Sequence, residues 1–285
     1  MVTKIERVGV VGSGLMGAGI AEVNARSGLD VLVSEVSEEA VEAGRQRITG
    51  SLERAVQRGK LAEADRDAAL GRLRFTTSLA DFADRQLVVE AIAENEQLKT
   101  SVFAELDRVT GADAILASNT SSIPIAKLAG ATGRPDQVLG VHFFNPVPVM
   151  KLVELVPSLA TSEQTVQRAS DFATGQLGKQ AIRAKDRAGF VVNALLVPYL
   201  LSAVRMYESG VASAEDIDNG MVLGCSHPMG PLTLSDMIGL DTMKSVADSM
   251  YEEFKEPLYA APPLLQRMVD AGHYGKKSGR GFYTY

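Results

Sequence analysis

The sequence predicts an α/β chain in two parts: a parallel sheet covered by helices on both faces, then an all-helical C-terminal part. Three observations carry this. Short apolar runs alternate with helix-compatible stretches as far as about residue 185. A glycine-rich turn, Gly12-Ser13-Gly14-Leu15-Met16-Gly17, stands between the first run and the first helical stretch. Beyond residue 185 helical signals dominate and no convincing strand follows. A length of 285 residues fits about two domains. They are placed at 1–185 and 186–285.

The elements follow in order. Arg7–Val11 (RVGVV) is a strand, and Gly14–Ser27 a helix that Gly28 stops. Val31–Val33 is the second strand. Ser37 is the N-cap of a long charged helix reaching toward Lys60. Glu63–Leu70 is a shorter helix, followed by the short stretch Leu73–Thr76. Gln86–Ala91 is a strand, Glu96–Val109 a helix and Ala114–Ala117 a strand. Val138–Phe143 and Lys151–Val156 are further strands. The second part reads as helices over Gly189–Glu208, Ser213–Leu223, a stretch after Pro231, Ser245–Phe254 and Pro263–Ala271.

Composition narrows the function. Hydrophobic residues are 46% and charged residues 22%, an ordinary globular balance. Acidic residues outnumber basic ones, 35 to 29, for a net charge of −6. That disfavours a nucleic-acid partner, because phosphate binding relies on Lys and Arg. One cysteine, Cys225, excludes a disulfide framework and a cysteine metal cluster, and no metal is expected. The apolar stretch Gly189–Val204 contains Asn193 and Pro198 and is short for a membrane span, so no membrane partner is expected. No secretory h-region follows the opening MVTKIE, and the expected compartment is the cytoplasm.

The glycine turn has the form G-x-G-x-x-G. Gly12 permits the tight turn, Gly14 lets backbone approach a pyrophosphate, and Gly17 lets the helix pack on the strand. Residues Ser13, Leu15 and Met16 bring their N–H groups to the same helix start, where anions bind. Glu35 lies eighteen residues after Gly17, at the end of the second strand. A carboxylate there accepts from ribose hydroxyls and repels the extra phosphate of NADP. These features together are a Rossmann-type fingerprint and predict NAD, with NADP disfavoured. The bland alternative is a structural turn plus a surface glutamate.

The second constellation runs from His142 to Val156. His142 ends a strand, Pro146 and Pro148 make a bend, and alternation puts Met150, Leu152, Glu154 and Val156 on one face of the next strand. A carboxylate among apolar neighbours needs a partner, and His142 is the nearest in sequence. Such a pair holds one imidazole tautomer and stabilises the imidazolium. Spacing alone leaves open a core histidine and a glutamate with unrelated partners. Ser118–Ser122 (SNTSS) follows a strand at the carboxyl edge, where ligands bind in such sheets, although polar loops are commonly turns and caps. Asn193 is either a satisfied core amide or a ligand contact. His227 reads as a loop residue, His273 as surface, Cys225 as a buried or loop thiol, and Lys276-Lys277 as a solvated tail or a phosphate contact. Zinc-protease spacing and a serine nucleophile elbow are absent from the sequence.

Several ordered stretches then act jointly: GSGLMGAG (12–19), VEAIAE (89–94), ASNTSS (117–122), HFFNPVPVMKLVE (142–154), GFVVN (189–193), DID (216–218), HPMGP (227–231) and KKSGRGFY (276–283). On them the sequence resembles the 3-hydroxyacyl-CoA dehydrogenase family, closest to its bacterial 3-hydroxybutyryl-CoA dehydrogenases. The resemblance implies reversible NAD-dependent oxidation of an L-3-hydroxyacyl-CoA to the 3-oxoacyl-CoA, with acetoacetyl-CoA and 3-hydroxybutyryl-CoA as the expected pair. It implies His142 as base, Glu154 as its partner, and Ser121 and Asn193 on substrate oxygens. It adds Glu94, Lys99 and Lys277 as cofactor contacts, and the helix after Ser37, with Ser51 and Arg58, as the coenzyme A site. It also implies a homodimer through the helical domain and a place in fatty-acid or butanoate metabolism. Four positions depart from the family pattern: Glu35 for the commoner Asp, Arg58 for Lys, Ala194 for Arg and Gln86 for Asp. None touches the implied chemistry. The competing readings are a Rossmann dehydrogenase of another 3-hydroxyacid, which would use a lysine base, and a non-catalytic NADH-binding relative.

Overall fold

The inner strands of the first unit are nearly continuous apolar runs, as burial on both faces of a sheet demands. In the computed structural model, which describes residues 4–285, the strands are β1 (Arg7–Val11), β2 (Asp30–Ser34), β3 (Leu73–Thr76), β4 (Leu87–Glu90), β5 (Ile115–Ser118), β6 (Val138–Phe143), β7 (Leu152–Pro157) and β8 (Gln180–Arg183). They form one sheet in the order β3-β2-β1-β4-β5-β6-β7-β8. The chain winds outward in one direction through β1, β2 and β3, then returns to β4 on the other side of β1. The junction of β1 and β4 is therefore a switch point, the place where open α/β sheets bind ligands.

The helices of this unit are α1 (Leu15–Arg26), α2 (Glu38–Gln57), α3 (Glu63–Leu70), α4 (Glu96–Val109), α5 (Ile125–Gly130) and α6 (Glu163–Asp171), the last continuing into a π turn over Phe172–Gln176. Their starts are written in the sequence. The Ser37 side chain accepts from Ala40 N–H at 3.2 Å, and Asn95 from Leu98 N–H at 3.0 Å. Helix α1 has Gly14 at its N-cap and no side-chain cap, and α3 behind Ala62 and α5 behind Pro124 are likewise uncapped.

One expectation needs correction. The alternating pattern predicts a parallel sheet, yet β6 and β7 pair antiparallel. The connection 144–151 is shorter than the dozen or so residues a parallel crossover needs. Elements β8, α5 and α6 also escape the sequence reading. Strand β8 is only half-buried at its centre and exposed at both ends, so it carries no apolar run.

The chain divides into two compact units, Met1–Asp186 and Arg187–Tyr285. The second holds α7 (Val192–Glu208), α8 (Ala214–Cys225), α9 (Pro231–Ile238), α10 (Leu240–Phe254) and α11 (Pro263–Asp270). Their core includes Leu200, Leu201, Val204, Leu232, Met243, Met250 and Leu265. Helix α7 starts later than its apolar run suggests, because Gly189 (φ 82°) and Phe190 (φ 46°) are left-handed. Helix α10 starts earlier, at the joint made by Gly239 (φ 101°). The last residues are strapped onto this bundle. Buried Asp236 accepts from Phe282 N–H at 3.0 Å and Tyr283 N–H at 2.9 Å. Buried Asp218 accepts from Leu232 N–H at 2.7 Å and from the Tyr283 hydroxyl at 2.9 Å. Among the described residues no helix is long and apolar enough to cross a membrane.

Candidate functional site

The glycine turn sits at the carboxyl end of β1. Gly12 has φ +92°, and a side chain at Gly17 would stand 1.9 Å from the Gly12 carbonyl oxygen, so both positions require glycine. A side chain built at Gly14 meets nothing within 4 Å, which leaves that backbone open. Leu15 and Met16 form the first turn of α1. Glu35, the residue after β2, accepts from the Ser13 N–H and, at 2.8 Å, from the Ser13 hydroxyl. An uncapped helix start beside an open backbone and a carboxylate fits the pyrophosphate and ribose of a dinucleotide.

Strand β4 ends in Glu90, fully buried. Its carboxylate accepts from Lys99 Nζ at 2.6 Å, Ser118 Oγ at 2.6 Å and Ile92 N–H at 2.7 Å. Lys99, on α4, reaches Glu94 at 3.2 Å. Glu94 in turn accepts from the Thr120 hydroxyl, from Ser121 N–H at 3.2 Å and from the Ser122 hydroxyl at 3.0 Å. Burial alone would raise the Glu94 carboxyl. The Lys99 ammonium and the two hydroxyls outweigh it and hold the group below the ordinary carboxylate range. A chain of charges running from buried Glu90 and Lys99 to Glu94 at the surface thus shapes the turn that presents half-buried Ser121. The same turn is fastened to β6, because Asn119 Oδ1 accepts from Phe143 N–H at 2.8 Å.

His142 sits next to that anchor. The β6–β7 register sets His142 opposite Glu154, and Nδ1 lies 2.7 Å from Glu154 Oε2. Both residues are buried, and the Phe144 ring stands edge-on to the imidazole with centroids 4.7 Å apart. The bend between the two strands is held by Lys179, whose Nζ donates to the Val147 and Met150 carbonyls, each at 2.6 Å. Burial, with the charge of Arg26, pushes the Lys179 ammonium below its ordinary pKa.

The first unit therefore brings His142, Glu154, Ser121, Glu94 and Lys99 to the carboxyl edge of the sheet, beside the glycine turn. Ser51 and exposed Arg58 share one face of α2 and its cap, seven positions apart. Asn193 is half-buried in the first turn of α7, and Lys277 donates to Asp241 at 2.7 Å, both in the second unit. His227 does more than line a loop: its Nδ1 lies 3.2 Å from the Tyr199 hydroxyl. Cys225, read as a buried or loop thiol, is instead exposed at the end of α8. Glu90, Asn119 and Lys179 are not singled out by the sequence. VVEA and SNTSS mark the first two by position, whereas nothing marks Lys179 in LGKQAI as a buried clamp.

Comparison with known proteins identifies the family. Residues 7–187 match the family 3-hydroxyacyl-CoA dehydrogenase, NAD binding domain, and residues 189–285 match its C-terminal domain. The 3-hydroxybutyryl-CoA dehydrogenase of Mycobacterium tuberculosis is 64% identical over 282 residues, covering 99% of each chain. A crystal structure of M. tuberculosis FadB2 superposes with TM-score 0.98 at 63% identity, over 99% of this chain and 100% of that one. The (S)-3-hydroxybutyryl-CoA dehydrogenase PaaH1 of Ralstonia eutropha gives TM-score 0.93 at 47% identity, over 99% of both chains. With both family domains matched in order along the described fold, the chain belongs to the 3-hydroxyacyl-CoA dehydrogenase family.

Proposed function

We propose that the protein is a short-chain 3-hydroxyacyl-CoA dehydrogenase that oxidises 3-hydroxybutyryl-CoA to acetoacetyl-CoA, reversibly, with NAD. The observation that carries this is the buried His142–Glu154 pair at 2.7 Å. With Nδ1–H donated to Glu154, the basic lone pair of neutral His142 lies on Nε2. That nitrogen takes the proton of the substrate 3-hydroxyl, and Glu154 offsets the charge of the resulting imidazolium. Bound NAD supplies the acceptor for the hydride that leaves C3. In the reverse direction protonated His142 returns the proton to the new hydroxyl. Ser121 and Asn193 are assigned to the substrate oxygens that flank the reacting carbon. Glu35 is assigned to the adenosine ribose, and Glu94 and Lys277 to the rest of the cofactor. Lys99 acts through Glu94, to which it is bound. Ser51 and Arg58 on α2 are assigned to coenzyme A.

Consumption of NADH by the purified protein with acetoacetyl-CoA tests the reading directly. A chain-length series of 3-oxoacyl-CoA substrates is expected to peak at four carbons, and a maximum at ten or more would refute the short-chain assignment. We further assign the second unit as the surface of a homodimer. Its helix α7 is apolar well beyond one face, with Leu195 74% exposed in the single chain. Light scattering at micromolar concentration is expected to give twice the chain mass of 30.4 kDa. The working compartment is assigned to the cytoplasm, where fatty-acid or butanoate metabolism supplies such thioesters.

A further inference from the structure

The peptide of Ser13 lies between two opposite charges. Its N–H and its hydroxyl point at the Glu35 carboxylate, and its carbonyl oxygen accepts from Arg47 Nη1 at 2.6 Å. Val36 N–H approaches the other Glu35 oxygen at 3.4 Å. Arg47 is carried on α2, which comes against the glycine turn at Gly44: a side chain there would stand 1.9 Å from Ser13 Oγ. The neighbouring Arg45 is engaged elsewhere, 4.3 Å over the Phe75 ring. The Glu35 carboxylate is thus an internal anion seated in a ready donor set of one backbone N–H, one hydroxyl and a guanidinium one peptide away. That is the donor chemistry of a phosphate monoester site.

We propose that Ser13 and Arg47 form a latent phosphate site which Glu35 fills, so that Glu35 excludes NADP by occupying the seat of the 2′-phosphate as well as by repelling it. Arg47 becomes the phosphate anchor once Glu35 is shortened. This rests on the reading of the glycine turn as an NAD site and deepens it. Charge repulsion alone would make any neutral residue at position 35 equally permissive, whatever stands at 47. Occupancy of a built site instead ties the gain in NADPH affinity to Arg47.

The test is fluorescence titration of NADH and NADPH, without acyl-CoA, into the full-length protein and into Glu35→Ala and Glu35→Ala/Arg47→Gln. The wild type is expected to bind NADH and to discriminate against NADPH. Glu35→Ala is expected to raise NADPH affinity relative to NADH by about tenfold or more, the scale of one charge-assisted hydrogen bond. The added Arg47→Gln is expected to remove that gain. Glu35→Ser, which also shortens the side chain and empties the seat, serves in place of the alanine variant should that one not fold. An unchanged coenzyme ratio on shortening Glu35, or a gain that survives Arg47→Gln, overturns the proposal. A wild type that binds neither coenzyme would overturn the dinucleotide reading beneath it, which is a different failure.

Discussion

His142 is the residue on which turnover is expected to depend most. General base catalysis is worth about 10²–10⁴-fold, so His142→Gln should lower kcat by roughly that factor while NADH affinity is retained. Glu154→Gln should also lower kcat, because a neutral amide cannot offset the imidazolium; steady-state kinetics and coenzyme titration on both variants check this. Near-normal turnover in a folded His142→Gln would remove the residue as base. Lys179 matters through the backbone it holds. Lys179→Met should leave the Val147 and Met150 carbonyls without their donor, a net loss of about 1–3 kcal/mol readable in urea unfolding. At this scale the sequence was partly legible. His142 and Glu154 could be paired on paper because strand alternation turns Glu154 toward an apolar face. Lys179 could not, since a lysine that ends up solvating two carbonyls looks like any surface lysine until the bend is folded over it.

Helix α2 carries stretches assigned to two different ligands. Its start packs on the glycine turn through Gly44, and its far end carries Ser51 and Arg58. Arg58→Ala should therefore raise KM for acetoacetyl-CoA with kcat kept, the signature of binding felt equally in ground and transition states. Higher salt should narrow the difference between wild type and variant, since an exposed charge is screened. The helix itself was readable from Ser37 and its charged periodicity. Strand β8 and helices α5 and α6 were not, because short elements with mixed burial carry too few residues for a period to emerge. The antiparallel turn of β7 was hidden for another reason: strand direction is set by connection length, and a pattern of buried residues is the same read either way.

On the scale of the whole chain, the change from strand alternation to helices near residue 185 and the glycine fingerprint were enough to read the fold class. How the last residues are used was not visible, because it depends on aspartates far away in sequence. Tyr285 contacts buried Asp236 through its hydroxyl at 3.2 Å, and burial, reinforced by that carboxylate, pushes its phenol up to about 12. A folded-state value above the unfolded value of 10 means that this contribution is complete below pH 10 and fades as pH rises toward 12. Thermal melts from pH 9 to 12 should show the wild type losing stability in that window more steeply than Tyr285→Phe. The strap has a further consequence in time. Asp218 and Asp236 are buried anions whose hydrogen-bond donors include the backbone or hydroxyl groups of residues 282–285. During synthesis those donors emerge only after every helix of the unit, because they follow α11 in the chain. The helical unit can thus settle into its final form only once residues 282–285 have folded back onto Asp218 and Asp236.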